Sequence, residues 1–152
     1  MEPESEIDID RHIQTLLDGA LGSDGYYGVF TANMHTDAPA NPGADAIVAE
    51  ATARGVPVVS AKQMLTWLDG RNGSSFRRLR FARGRLRFAV APAVGSRGLE
   101  AMVPARSATR ELTGLTRDGA PVDVTRRTVK GIDYAMFDAA AGDYVATYRH
   151  GL

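Results

Sequence analysis

The chain has 152 residues, of which 44% are hydrophobic, and a mean hydropathy of −0.19, values typical of a globular protein of one or two small domains. It has no cysteine, which excludes disulfides, thiolate metal sites and cysteine nucleophiles, and it has no apolar run near the roughly 18 residues of a membrane helix. Residues 1–71 carry four basic and eleven acidic side chains (−7), whereas residues 72–152 carry fourteen and seven (+7).

The first part of the chain predicts alternating helices and strands. Its first ten residues are mostly acidic or proline, so we expect a mobile lead-in, and they lack the positively charged start of a signal peptide. Apolar residues at three- and four-residue spacing then predict a helix with Asp10 as N-cap and Gly22 as its stop. The next elements are a strand over 25–31, a helix over 44–54, a buried strand over 56–59 and a third helix, with Ser60 as its N-cap and Gly70 as its stop. Two strands are too few for a complete sheet, so residues 1–71 are predicted to be a short, incomplete, barrel-like α/β segment.

After residue 71 the hydrophobic period changes to two. Leu79 and Phe81 alternate with arginines, and after a turn at 82–84 Leu86 and Phe88 do the same, which predicts a β-hairpin with one apolar and one arginine face. Five further strands are predicted near 99–103, 111–116, 122–127, 132–137 and 144–148. Seven short strands with turn residues between them predict an antiparallel β-sandwich over 72–152, and the whole chain is expected to be α+β.

The candidate catalytic residues are His35 and Asp37, just beyond the predicted strand over 25–31. Functional groups gather where the parallel strands of α/β folds end, and a carboxylate orients a neighbouring histidine for acid–base work. His-x-Asp is also common by chance, so an ordinary loop histidine stays an open interpretation. One histidine and one carboxylate fall short of three protein ligands, so no metal and no cofactor are predicted.

The candidate binding residues form the arginine face, which consists of Arg78, Arg80, Arg85 and Arg87. A compact positive patch binds anionic sugars or other polyanions. Two alternatives stay open, because arginines also guard edge strands against aggregation and could dock on the acidic first part. An open face favours binding, whereas a face covered by residues 1–71 favours docking. Few aromatic residues are interleaved with the arginines, which disfavours nucleic acid as the partner.

Two segments resemble a known family. Residues 25–37, GYYGVFTANMHTD, followed by ARGVPVVSAKQMLTWLD at 53–69, resemble the last segment of a polysaccharide deacetylase (NodB-like) barrel. The later part, with LTGLTRDG at 112–119 and DAAAGDYVATY at 138–148, is similar to the sandwich appended to large secreted bacterial proteins of this kind. The resemblance implies that His35 is the late catalytic histidine, which protonates the leaving amine. It also implies an extracellular parent protein whose metal-binding motifs lie upstream and are missing here, so the chain is not expected to deacetylate alone.

Three functional hypotheses follow. The first is a non-catalytic C-terminal region of a secreted carbohydrate-active protein, with the sandwich as a structural or accessory module. The second is a binding module that uses the arginine face for an anionic glycan or other polyanion, and the third is a small hydrolase using His35. The expected partners are polysaccharide, the upstream domains of a parent chain and a second copy that pairs through the incomplete sheet. No membrane partner is expected.

Overall fold

The computed structural model describes residues 9–22, 25, 28–33, 40–107 and 109–150. Its contacts divide the chain into two compact units, Met1–Val59 and Ser60–Leu152. The sequence predicts a division after residue 71, whereas in the structure the third helix already belongs to the second unit. The lead-in predicted for residues 1–8 lies outside the described residues.

The first unit contains helices α1 (Ile9–Leu21) and α2 (Pro42–Ala53). The predicted helix is confirmed for α1, but Asp10 lies inside its first turn and is not the residue before it. Helix α2 begins after Asn41, whose side chain accepts a hydrogen bond from the Ala44 backbone N–H at 3.1 Å. Proline suits the first position of this helix because that N–H has no partner within the helix.

A polar network joins the two helices of the first unit. The Arg54 guanidinium, just after α2, binds Asp18 of α1 at 2.8 Å and also Glu50 one turn back. Gln14 of α1 donates a second hydrogen bond to Glu50 at 3.0 Å. The hydrogen bond from Gln14, followed by that from Arg54, holds the pKa of Glu50 below its usual range, and Asp18 raises the pKa of Arg54.

Neither predicted strand of the first part is observed among the residues that the structure describes there. The predicted strand over 56–59 is wrong, because those residues run without regular secondary structure and Val58 and Val59 are about half exposed. The described residues of the predicted strand over 25–31 are likewise irregular. A strand needs a neighbour for its backbone hydrogen bonds, and Pro57 removes one donor from the second segment.

The second unit begins with helix α3 (Ala61–Gly73), which starts at the predicted cap. Ser60 and Gln63 form a reciprocal capping box, in which each side chain bonds the backbone of the other. The helix continues past the predicted stop at Gly70 and ends at Gly73. Gly70 instead lies where the helix contacts another part of the second unit. A methyl group on Gly70 would lie 2.5 Å from the Gly95 carbonyl carbon, so the helix packs directly on the turn after the second strand.

The remaining elements are two antiparallel sheets of a β-sandwich, so the predicted α+β class is confirmed. The described residues form nine strands: β1 (Ser75–Ala82), β2 (Arg85–Ala91), β3 (Glu100–Pro104), β4 (Arg106–Ser107), β5 (Arg110–Arg117), β6 (Ala120–Pro121), β7 (Thr125–Val129), β8 (Ile132–Asp138) and β9 (Gly142–His150). The larger sheet has the order β1-β2-β9-β5-β4, with β6 paired to β5, and the smaller has the order β3-β8-β7. The two strands beyond the predicted seven are the two-residue strands β4 and β6.

The core lies between these sheets and is rich in aromatic rings. Tyr144 of β9 stacks on Phe88 of β2 and contacts Phe137 of the smaller sheet, with ring centroids 5.2 Å apart in both pairs. Tyr148 donates a hydrogen bond from its hydroxyl to the Pro104 carbonyl at 2.9 Å, which ties β9 to β3. Burial raises the pKa of Tyr148.

Candidate functional site

The arginine face lies on the hairpin formed by β1 and β2. Its turn is made by Arg83 and Gly84, which adopt left-handed φ angles of 50° and 72° as the tightest hairpins require. The register across the hairpin places Arg80 directly opposite Arg87. Phe88 is buried in the core, so its neighbour Arg87 extends from the outer face of the larger sheet, the side away from the core.

Strand β1 departs from the simple alternation that its sequence predicts. A bulge interrupts its pairing with β2 between Arg77 and Arg80, and Arg78 within it has a φ of 55°. Leu79, predicted to be on the apolar face, is instead 61% exposed. The bulge inserts an unpaired residue, so Phe76 and Phe81 lie on the same, core-facing side of β1 although they are five positions apart. The sequence marks the position of that extra residue, because the consecutive Arg77 and Arg78 break the alternation between Phe76 and Leu79.

Two other arginines of the larger sheet have acidic partners. Arg78 binds Asp143 of β9 at 2.6 Å, and Arg106 of β4 binds Glu111 of β5 at 3.2 Å. Glu111 also lies opposite Arg149 in the register of β5 and β9. Arg78 and Arg106 are therefore neutralised by carboxylates on other strands of the same sheet.

Three members of the arginine face have no such partner. Arg80, Arg85 and Arg87 are all exposed, and none of them makes an ion pair with a carboxylate in the part of the chain that the structure describes. Arg85 and Arg87 are two residues apart on one strand, roughly 6.7 Å, and Arg80 faces Arg87 at a cross-strand Cβ spacing of about 5 Å. We call these three residues the unmatched arginines.

The protection of an edge accounts for only part of the arginine face. Strand β1 is an edge of the larger sheet, and its arginines and its bulge are devices that block edge-to-edge aggregation. Strand β2 is paired on both sides, by β1 and β9, so it has no edge to protect. Arg85 and Arg87 therefore need another explanation.

Residues outside the predicted set extend the surface around the unmatched arginines. Thr147 of β9 lies opposite Arg85, and Arg77 of β1 lies opposite Ala89, on the same outer face. Thr147 was identifiable only once β9 was known to neighbour β2. The aromatic rings of the hairpin lie on the core side, because Phe76 packs edge-on against Phe88 with centroids 5.5 Å apart. The outer face of the hairpin is thus basic and without aromatic rings.

The other sequence candidates form no second site among the described residues. His35 and Asp37 lie outside the described residues, so their catalytic role stays a prediction. His150 of β9 is exposed, with its Nδ1 3.5 Å from the Thr109 hydroxyl. Among the described residues there is no group of three or more His, Asp or Glu side chains placed to share a metal ion. Trp67 is half-buried and donates its indole N–H to the Arg97 carbonyl at 3.1 Å, within the second unit.

One cavity of the second unit is lined by polar residues. It measures about 320 Å³ and lies beside β3, β6 and β8, where Glu100, Asp138 and Arg117 line it. The unmatched arginines do not line it but lie on the outer face of the larger sheet. Small ligands bind in concave sites, whereas an extended polymer can lie along the face of a sheet.

Comparison with known proteins identifies no relative. No family model matches the chain, and neither a curated protein nor a solved structure is detectably similar to it. The expected relation to polysaccharide deacetylases, with its extracellular parent protein, therefore stays a prediction. None of the described helices is long and apolar enough to cross a membrane.

Proposed function

We propose that the second unit is a binding module for an acidic polysaccharide, which lies across the outer face of the larger sheet on Arg80, Arg85 and Arg87. The observation that carries the proposal is the absence of acidic partners for these exposed arginines among the described residues, on a face where Arg78 and Arg106 each have one. Two like charges opposite each other on neighbouring strands destabilise a sheet. A bound row of anionic groups removes that repulsion, and the relief of the repulsion adds to the free energy of binding.

The charge of the whole unit supports this proposal. Residues 60–152 carry sixteen basic and eight acidic side chains, a net charge of +8, and no acidic residue lies between Asp69 and Glu100. A strongly positive surface attracts polyanions over a Debye length of about 8 Å at physiological salt. The hairpin contributes six of these basic residues and no carboxylate.

A polysaccharide fits this surface better than a nucleic acid. Proteins that bind single-stranded nucleic acid combine positive charge with aromatic side chains on which the bases stack. The aromatic rings of the hairpin instead contact the core, as Phe81 does through Tyr148 at a centroid distance of 5.9 Å. Planar guanidinium groups match the carboxylates and sulfates of acidic sugars in pairs of hydrogen bonds.

The test uses the full chain and heparin as the probe. The Arg85→Gln/Arg87→Gln double variant removes two of the unmatched charges and keeps side chains of similar length. At about 0.5–1 kcal/mol for each exposed charge pair, its Kd for heparin is expected to rise roughly 5- to 30-fold. Isothermal titration at two salt concentrations measures this change, and the double variant is expected to show the weaker salt dependence.

The matched control is Arg97→Gln/Arg127→Gln. It removes the same number of positive charges, two, from a different part of the surface. Both arginines are exposed, Arg97 on a turn and Arg127 on the smaller sheet. Its Kd is expected to stay within about twofold of the parent value if the site is local. Equal weakening in the two double variants would mean that binding follows net charge alone, and the proposal would then fail. A double-stranded oligonucleotide that binds more tightly than heparin at the same salt would also overturn it.

A further inference from the structure

The core side of β1 is not fully covered. Phe76 contacts Phe88 and Phe81 contacts Tyr148, so both rings continue the aromatic core outward to the edge of the larger sheet. Phe76 nevertheless remains 46% exposed and Phe81 51% exposed, and Leu79 between them is 61% exposed. Core-type side chains that stay half exposed in a row mark an interaction surface more often than isolated exposed apolar residues do. We call these three residues the edge patch.

The architecture explains why this patch is open. The larger sheet has five strands along its path and the smaller sheet has three, so the smaller sheet covers only part of the larger one. The core cluster includes residues of β2, β5 and β9 but none of β1. The edge patch is thus a continuation of the core that the described residues of this chain leave accessible.

The surroundings of the patch are basic. Arg83 follows Phe81 at the turn and is exposed, and Arg110 packs over the same turn, where a side chain on Gly84 would collide with its guanidinium. A partner that covers the patch therefore comes close to several positive charges. Charge complementarity requires acidic residues around the apolar surface of that partner.

The edge itself disfavours strand addition and a second copy. The bulge and the left-handed Arg78 interrupt the regular backbone that an added strand would need. Pairing of β1 with β1 of a second copy would also bring two rows of arginines together. An occupant has to pack on the side chains and carry the opposite charge.

We propose that the edge patch is a docking site for an acidic amphipathic helix of a partner protein. The five-residue interval from Phe76 to Phe81 spans roughly 16 Å of strand, which equals about three turns of helix. A helix of that length presents a stripe of three or four apolar residues to the patch, and its flanking carboxylates meet Arg83 and Arg110. This surface differs from the polysaccharide site, because it lies on the core side of the sheet.

The experiment uses the full chain and two labelled synthetic peptides of about 15 residues. One has leucines at positions i, i+4, i+7 and i+11 of a glutamate-rich helix, and the other has the same composition with its leucines distributed around the helix. Fluorescence anisotropy is expected to show that the striped peptide binds roughly tenfold more tightly. Leu79→Ser is expected to weaken that binding by roughly tenfold. Its thermal unfolding is expected to stay near that of the parent chain, because Leu79 lies outside the core cluster.

Two control variants separate the possible outcomes. Ile132→Ser removes a similarly exposed aliphatic residue from the smaller sheet, and it is expected to leave peptide binding unchanged. Arg85→Gln/Arg87→Gln is expected to weaken heparin binding and to change peptide binding by less than about twofold, which keeps the two sites distinguishable. Equal affinity for both peptides, or no effect of Leu79→Ser, would overturn the proposal. So would a dimer in sedimentation that Leu79→Ser dissociates, because a second copy would then be the occupant.

Discussion

Arg80 and Arg87 lie directly opposite each other on two hydrogen-bonded strands, and no described carboxylate pairs with either. Directly opposed like charges destabilise an antiparallel pair, so this arrangement reduces the stability of the hairpin. In the proposed function, the same pair of arginines concentrates positive charge where the anionic polymer binds. Stability and binding are therefore expected to change in opposite directions when either arginine is neutralised.

The first prediction tests this opposition with Arg87→Gln. Removal of one charge of the pair is expected to raise the free energy of unfolding by about 0.2–1 kcal/mol while it weakens heparin binding. Urea denaturation of the full chain measures the stability of the second unit. Arg127→Gln is the control, because Arg127 lies opposite Tyr134 and is expected to change stability little. If both variants have the stability of the parent chain, the repulsion between Arg80 and Arg87 is screened and the opposition is wrong.

The second prediction concerns the hydroxyl of Tyr148. Tyr148→Phe removes the hydrogen bond to the Pro104 carbonyl and is expected to cost about 1 kcal/mol of unfolding free energy. Tyr134→Phe is the control, since the Tyr134 hydroxyl bonds no other residue that the structure describes. If both variants lose the same free energy of unfolding, the hydrogen bond between β9 and β3 does not itself stabilise the fold.

The third prediction is the pH dependence that the same residue creates. Burial raises the folded-state pKa of Tyr148, so its contribution to stability is fully present below the unfolded pKa of about 10 and is lost as the pH rises through the folded value. Denaturation of the parent chain at a series of alkaline pH values is expected to show this decline. The decline is expected to be smaller in Tyr148→Phe, and identical curves for the two proteins would contradict the prediction.

The fourth prediction concerns the contact between α3 and the turn after β2. Alanine is the better helix former by about 1 kcal/mol, yet Gly70→Ala is expected to destabilise the second unit by about 1–3 kcal/mol. The new methyl group would lie 2.5 Å from the Gly95 carbonyl carbon and 2.8 Å from the Val94 carbonyl oxygen. Gly114→Ala is the control, because a methyl group there meets open space. A Gly70→Ala variant that is more stable than the parent would show that the helix moves freely on the turn.

The fifth prediction concerns the acid sensitivity of the first unit. The pKa of Glu50 is lowered by Gln14 and Arg54, so its contribution to stability is present above the unfolded pKa of about 4.3 and is lost as the pH falls through the lower, folded value. Hydrogen exchange of α1 and α2 amides is expected to accelerate in that range. Glu50→Gln is expected to exchange faster at neutral pH and to depend less on acid. An unchanged acid profile in this variant would remove Glu50 as the cause.

The periodic signals in the sequence predicted the elements of the second unit well. The hairpin turn at Gly84, the capping box at Ser60 and the alternation of Tyr144, Ala146 and Tyr148 on β9 are local features, so neighbouring residues specify them. The prediction of short strands in the first part was wrong because a strand depends on residues far away in the sequence. Four apolar residues at 56–59 form a strand only when a neighbour supplies hydrogen bonds, and no local pattern reports whether that neighbour exists.

The sequence by itself determined that the chain divides into an acidic and a basic part, that it is α+β, and which arginines lie together on a hairpin. Only the tertiary structure decided which of those arginines are neutralised, because Asp143, the partner of Arg78, lies on β9, 65 residues further along the chain. It also decided that β2 is an internal strand, which removes edge protection as the reason for Arg85 and Arg87. The physical cause is the same in both cases: pairing between strands depends on which strands become neighbours, and that order is set by the packing of the whole sandwich.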